Sequence, residues 1–252
     1  MVVGLLVGKD RSIGFPDKHK KLILGRPLVE YAFLSATHSK KIERLFVSSD
    51  SPFIMDIGEK YGATTLLRPK ELAQPDTLLE DSLIYAYKQM EAVLETSIDT
   101  VVLFFANAPM IPPGSIDKGI ELLQEKSEYD SVFSVCKYNM FSPARAYKLT
   151  NESEIAPFID KNAFDLEKRV TSIRDSQGDC FFCTLQVQIL RGRCFTHMDE
   201  GQLTYKWMGR RSYAMVTDIG FDIDYDWQIP TVEGWLVKTG FTDKSTPYDL
   251  LR

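Results

Sequence analysis

This chain of 252 residues predicts an α/β fold, a mostly parallel sheet with helices on both faces, on three observations. Short runs rich in Val, Ile, Leu and Phe recur at VVGLLVG (2–8), RLFVSSD (44–50), TVVLFFANAP (100–109) and SVFSVCKY (131–138). Stretches with helical periodicity fill most of the space between them. The runs are apolar at successive positions, as expected of strands buried on both faces of a parallel sheet.

The elements follow in order. Between the first two runs, PLVEYAFLSATHS sets Leu28, Val29, Ala32, Phe33 and Ala36 on one helical face. SPFIMDIGEKYG begins with Ser51 as a candidate cap and Pro52 at the first helical position, and it stops at Gly62. DTLLEDSLIYAYKQMEAVLE and PGSIDKGIELLQEK supply two more helices, so the expected order to about residue 137 is β-α-β-α-α-β-α-β. From about 138 to 177 the chain turns polar and irregular, with scattered Pro, Asn, Lys and Asp, before apolar residues return at CFFCTLQVQIL (180–190). A small arm inserted into one domain spanning 1–252 is expected there. No internal repeat, low-complexity tract or separating linker is present.

Hydrophobic residues make up 44% of the chain, enough for a full core, and a net charge of -5 opposes general nucleic-acid binding, which needs a broad basic field. Any anion site must therefore be local. No apolar run approaches the roughly 18 residues that span a bilayer, and Met1 leads directly into a strand-like segment, so a soluble cytoplasmic protein is expected. Cys180 and Cys183 form a C-x-x-C, with Cys136 and Cys194 elsewhere. Without a second such pair, and in so apolar a setting, the thiols are read as reduced and structural rather than as zinc ligands, although His197 lies close to Cys194 in sequence.

Ligands of open parallel sheets settle at the carboxyl ends of the strands, which draws attention to the loops after GLLV, FVSSD and LFFAN. In the first loop Gly8 and Gly14 permit close backbone approach, while Lys9, Arg11 and Lys18 bring cations to one mouth. Such a loop suits a polyphosphate, although an ordinary turn beside a lysine-rich solvated helix has the same composition. It is neither a P-loop nor a G-x-G-x-x-G fingerprint. In GFDIDYDWQ, Asp222 and Asp224 alternate with Phe221, Ile223 and Tyr225, which on a strand puts both carboxylates on one face, with Asp226 sharing it by parity. Like charges so crowded suit a magnesium ion or a solvated acidic edge. Asn107, at the end of FFANAP, is a candidate hydrogen-bonding ligand or simply a polar strand end.

Taken in order, these segments resemble the cytidylyltransferase family that activates acidic sugars, the acylneuraminate and Kdo type. Its loop typically reads A-R-x-G-S-K-G-I-P-x-K-N-I-K-P-L-x-G-K-P-L-I. GKDRSIGFPDKHKKLILGRPLV follows it without a gap, with Ser12, Gly14, Pro16, Lys18, Lys21, Gly25, Pro27 and Leu28 matching. VSSDSPFIMDIGEKYGATTLLRPKELAQPDT resembles the family's V-S-T-D, K-Y-G-A and R-P-x-E-L-A-x-D elements. DSVFSVCKYNMFSPARAYKL resembles its S-V-V-S-V strand, and FDIDYDW its closing S-I-D-I-D-T segment. The resemblance implies a Rossmann-like nucleotidyltransferase sheet with a small inserted dimerisation arm. It implies transfer of CMP from CTP to an acidic sugar, with pyrophosphate released and Mg2+ required. Gly8, Lys9, Arg11, Ser12, Lys18 and Asn107 would bind the nucleotide, and Asp222 and Asp224 the metal, with Lys18, Asp222 and Asp224 catalytic. Arg68 and Asp76 would lie on the substrate side, and Arg145 and Arg174 are candidates for the acceptor's negative charge. The arm, with Phe141, Ile155, Phe158, Ile159 and Phe164, would build a homodimer.

The departures narrow the substrate. Lys9 stands where the family has Arg, and Ile13 replaces the loop's Lys. Against the sialic-acid type's Q-P-T-S-P-L-R, the chain has Phe105 at the Gln position, Asn107 at the Thr, Ala108 at the Ser and Ile111 at the Arg. An acidic residue that the Kdo type places near Asn107 is also missing. The acceptor expected is thus less polar than ordinary sialic acid. Two alternatives stand beside this reading: the same fold with another nucleotide or a phosphorylated or phosphonate acceptor, and a nucleotide-binding protein without turnover.

Overall fold

The computed structural model describes residues 1–10, 14–151, 153–160, 162–163 and 169–251. Its centre is a seven-stranded sheet. Strand β1 (Val2–Val7), buried along its whole length, runs parallel between β4 (Arg44–Ser49) and β6 (Thr100–Phe105), with Leu5 opposite Phe46 on one side and Leu103 on the other. A parallel edge strand, β5 (Thr64–Leu67), follows β4. Beyond β6 the long β10 (Phe181–Arg191) enters antiparallel, pairs with β7 (Ser131–Lys137), and is followed outward by β11 (Ser212–Val216), parallel to β7. Two short hairpins complete the strands: β2 (Leu22–Ile23) with β3 (Arg26–Pro27), and β8 (Tyr147–Leu149) with β9 (Ile155–Pro157).

The period of two along β1 divides the core. Val2 and Leu6 face α1 (Glu30–Thr37), α2 (Pro52–Lys60) and α4 (Ser115–Glu125), through Phe33, Ile54 and Ile120 among others. Val3, Leu5 and Val7 face α3 (Leu79–Leu94) and the short α5 (Arg193–Thr196), through Leu83, Tyr87 and Phe195. Each buried side chain of this size contributes roughly 1.5–3 kcal/mol, which is why helices must cover both faces. A third cluster lies under α6 (Ile229–Lys238), where Val232 and Leu236 pack with Tyr31, Met110, Phe241 and Ile223.

The expected α/β architecture is observed, with additions beyond the short hairpins and α5. β5 interrupts the two consecutive helices of the expected order; its four residues, partly exposed at the sheet edge, are too few to show a pattern. β11 precedes the acidic segment and α6 follows it, and neither was among the expected elements. Gly62 ends α2's segment with φ 76, a conformation that favours glycine. The segment between β7 and β10 carries the β8–β9 hairpin and two single 3-10 turns, at Asn139–Phe141 and Pro143–Arg145.

The end of the sheet remote from the strands' carboxyl ends is tied by Asp130. Its backbone bridges Arg211 O and Arg191 N, and its carboxylate accepts the Arg211 amide at 2.8 Å and the Arg193 guanidinium. Burial alone would push this carboxyl up, but the Arg211 amide and Arg193 hold it below the ordinary aspartate range. Asp130→Ala is therefore expected to cost about 1–3 kcal/mol, lowering the melting temperature by about 2–4 °C per kcal/mol. A depressed folded pKa contributes fully above the unfolded value, so the gap between wild type and variant should shrink as pH falls below about 4. Thermal melting at pH 7 and pH 3 measures both.

Candidate active site

The carboxyl ends of β1, β5 and β6, with the middle of β10, open into one cavity of about 410 Å³, where open α/β sheets place their ligands. At its centre the loop after β1 approaches closely. A Cβ on Gly8 would lie 2.5 Å from Ile54 Cδ1 and 3.0 Å from Ala106 Cβ, so any larger residue would have to displace the buried Ile54 side chain to seat this backbone against α2 and the end of β6. The Asp10 amide donates to Asp50 Oδ1 at 2.9 Å, and the Ser51 hydroxyl donates to Asp10 Oδ1 at 2.8 Å. Ser51 does occupy the N-cap position of α2, but its hydroxyl is spent on this loop and makes no capping bond. The Lys9 ammonium donates to the Gln74 carbonyl, joining the loop to the segment before α3. Arg11 and Ser12 lie outside the described residues.

Lys18 opens a 3-10 turn after Asp17, whose φ of 54 bends the chain back toward the sheet. Its ammonium meets Asp224 Oδ1 at 2.6 Å. Asp222 and Asp224 both line the cavity, yet they do not lie on a strand, as their alternation suggested: 217–225 is irregular. A bridge to the end of β6 replaces the ladder. The Ile223 amide donates to Asn107 O at 2.8 Å, and Asn107 Nδ2 donates to Ile223 O and Asp222 Oδ2, each at 3.2 Å. Ile223 is fully buried between the two acidic residues, which turns both carboxylates away from the core. Asp226 instead begins an exposed 3-10 turn and does not line the cavity.

Burial, then the charge of Asp224, pushes the Asp222 carboxyl above the usual range, against the opposing pull of its own amide, Lys18 and Asn107. Such a pair fits a divalent cation. Two carboxylates are fewer than a full protein cage, and among the described residues no group of three His, Cys, Asp or Glu could hold a metal. Magnesium, which keeps waters and takes phosphate oxygens, is commonly bound by one or two carboxylates with the substrate.

On the β5 side the buried Arg68 lines the cavity beside Thr77 and Ser82. Its Nη2 donates to Ser48 O at 3.1 Å, whereas its Nε has no protein partner. His19, buried next to Lys18, also lines the cavity with its Nε2 unpartnered, and burial and Lys20 lower its pKa. His19 was missed in the sequence because a histidine in a lysine run reads as part of a solvated face. On the β10 side the wall is Phe105, Leu185, Tyr205 and Trp207. The last three were also missed, since Leu185 comes from a strand interior, Trp207 from a three-residue 3-10 turn and Tyr205 from the position just before that turn.

The cavity thus unites Gly8, Lys9, Lys18, Arg68, Asn107, Asp222 and Asp224. It does not include Asp76, which is exposed on a neighbouring shallow surface, nor Arg145 and Arg174, which line a separate cavity beneath the arm. Arg145 is occupied there: its Nε donates to Gln177 Oε1 at 2.6 Å, and its Nη2 bonds Ile173 O at 2.9 Å and Thr171 O and Ser176 Oγ at 3.2 Å each. Arg174 is almost fully exposed beside Asp175. Of the apolar departures, Phe105 faces the cavity as expected, whereas Ala108 and Ile111 are buried in the two main cores. Cys180 and Cys183 are free and half-buried, and burial drives the Cys194 thiol up to about 12, which makes it unreactive.

Asn107→Ala removes both donors that hold the acidic segment and is expected to cost about 1–2 kcal/mol of stability. Asn107→Asp sets another carboxylate beside Asp222. It should destabilise at least as much in EDTA and recover on addition of magnesium. Thermal melting with and without the metal reads both, and a melting temperature equal to wild type in both variants would refute the bridge.

Residues 10–191 match the sequence pattern of the family described as "Cytidylyltransferase". The N-acylneuraminate cytidylyltransferase A of Danio rerio is 24% identical over 246 residues, covering 98% of this chain but 53% of that protein, so the chain spans about half the length of this relative. The 3-deoxy-manno-octulosonate cytidylyltransferase 2 of Hydrogenovibrio crunogenus is 25% identical over 203 residues, 81% of this chain and 70% of that protein. Among solved structures, CMP:2-keto-3-deoxy-manno-octonic acid synthetase complexed with CTP shares the fold with a TM-score of 0.64 at 11% identity, covering 94% of this chain and 98% of that one. With its pattern matched over most of its length, the chain belongs to the cytidylyltransferase family.

Proposed function

We propose that the protein transfers CMP from CTP to a hydroxyl of an acidic sugar and releases pyrophosphate, with Mg2+ as cofactor. The observation that carries this reading is the convergence of Lys18, Asp222, Asp224 and the Gly8 loop in one cavity at the ends of β1 and β6. The relatives' names, which pair cytidylyl transfer with acylneuraminate and octulosonate acceptors, support it.

In this reading the nucleotide lies toward β5. There the buried Arg68 guanidinium supplies positive charge, and Ser82 and Thr77 lend polarity. The triphosphate crosses the Gly8 loop within reach of Lys9 and Lys18. The acceptor hydroxyl attacks the α-phosphorus in line, its proton passing to solvent, and the bond from that phosphorus to the bridging oxygen breaks as pyrophosphate leaves with the bonding pair. Lys18 lies poised to move its charge from Asp224 to the phosphates, where charge grows most in the transition state. Asp222 and Asp224 would hold magnesium, which when bound supplies charge neutralisation at the phosphate oxygens. Little covalent help is needed from the protein; alignment and charge do the rest. No helix is long and apolar enough to cross a membrane among the described residues, and a cytoplasmic reaction drawing on the CTP pool fits that.

The arm is proposed to pair two copies of the chain. Phe141, Leu149, Ile155 and Phe158 are each 60% or more exposed on it, a cluster that association would cover. Light scattering at micromolar concentration should give the mass of a dimer; a monomer mass would overturn this part.

The activity itself is tested by pyrophosphate release from CTP with magnesium and a panel of acidic sugars, beside the other nucleoside triphosphates. Asp222→Ala and Asp224→Ala should each abolish release while melting near the wild-type temperature. Near-wild-type turnover in both would remove the metal assignment, and release from no nucleotide would remove the enzymatic reading.

A further inference from the structure

The half of the cavity on the β10 side is chemically unlike the half on the β5 side. Arg68, His19, Thr77 and Ser82 bring hydrogen-bonding groups to one half, beside Leu72 and Leu79, while Phe105, Leu185, Tyr205 and Trp207 close the other with two aliphatic or phenyl side chains and two larger rings. Three features show that this wall is built rather than incidental. Pairing of β10 with β7 slips register between Cys183 and Gln188, and within the slip Leu185 takes φ 59, a left-handed conformation that is costly for a leucine. The bulge re-aims this side chain at the cavity instead of leaving it in the ordinary pleat. Second, the polar groups behind the wall satisfy one another. Trp207 Nε1 donates to Gln188 Oε1 at 2.9 Å, and Gln188 Nε2 donates back to the Leu185 carbonyl at 3.0 Å. The indole therefore has no donor left for a ligand. Third, the rings brace each other, with Trp207 5.2 Å from Tyr205 and 6.3 Å from Phe105 between centroids, so the surface is stiff.

We infer that Leu185, Tyr205 and Trp207 set acceptor specificity, selecting an acidic sugar that carries methyl or acyl groups where a fully hydroxylated one carries hydroxyls. The inference rests on the reading of the cavity as the site shared by CTP and its acceptor. A hydroxyl pressed against Phe105, Leu185 or the Trp207 ring, away from the Tyr205 phenol, gives up its water and finds no partner, at roughly tenfold in affinity for each such group. A methyl or acyl group at the same place loses nothing and covers the rings.

The test uses the full chain, CTP and magnesium with two nonulosonic acids. They are matched except that one has a terminal methyl and an acylated amine where the other has hydroxyls. The wild type should favour the less hydroxylated acceptor in kcat/KM by about tenfold or more. Leu185→Asn places there a residue that tolerates positive φ better than leucine and presents an amide to the cavity, and it should bring the ratio close to one. Tyr205→Ser, at a less buried position, should lower the ratio as well, which covers the case in which Leu185→Asn fails to fold. Equal use of the two acceptors by the wild type, or preference for the hydroxylated one, overturns the inference. So does a ratio unchanged in both folded variants. If neither acceptor releases pyrophosphate, the proposed reaction fails, and calorimetric titration of both acids in the presence of CTP still reads the wall. Tighter binding of the less hydroxylated acid supports it, and equal, weaker or absent binding overturns it.

Discussion

The site depends on one short bridge, in which the Ile223 amide bonds the Asn107 carbonyl while the Asn107 side chain bonds back to Ile223 and Asp222. Asp222 and Asp224 belong to a segment with no strand ladder of its own, so nothing in the sheet fixes their height above β6. The bridge supplies that fixing, and burial of Ile223 among Tyr31, Met110 and Leu236 supplies the rotation. A buried hydrophobe between two acids leaves the carboxylates only the cavity to face. The Gly8 loop, Lys18 and the β6 end then gather around a fixed pair of charges.

The two acids are not equivalent. Asp224 is half exposed and paired with Lys18, whereas Asp222 is more enclosed and held by a neutral amide. The charge that the lysine neutralises is the accessible one, and the enclosed one carries the raised pKa. Burial raises it most and the Asp224 charge next, and a cation added between the two would relieve that second contribution. Lys18 is tied to the same constellation, since its turn is oriented by Asp17 in a left-handed conformation rather than by a helix.

Across the sheet the cavity grades from hydrogen-bonding to apolar, and the strand order explains why. β4 and β5 end in polar residues and a buried arginine. β10 runs antiparallel through the site, so the cavity meets its interior, at Leu185, instead of a loop. The bulge at Leu185 converts a core position into a wall position. A parallel strand there would have presented a loop of polar character, so one reversed strand divides the cavity into two chemistries.

Much of this was legible in the residues alone. Continuous apolar runs separated by helical periodicity determined a parallel sheet with helices on both faces, because only two-sided burial permits such runs. The spacing of Gly8, Lys9 and Lys18, and of Asp222 and Asp224, determined which side chains are able to share a cavity with an anion and a metal. Tertiary structure alone decided the rest. The sequence read the acidic segment as a strand, whereas the bridge through Asn107 holds it as an irregular chain, and hydrogen bonds across 115 residues leave no local pattern. The arginines of the arm were equally ambiguous, since a guanidinium that braces Thr171 and Ile173 looks in sequence like one that binds a ligand. Arg68, His19, Leu185 and Trp207 came to line one cavity only when the end of β5, the middle of β10 and a three-residue turn gathered over the carboxyl ends of β1 and β6, a proximity set by packing and strand direction rather than by spacing along the chain.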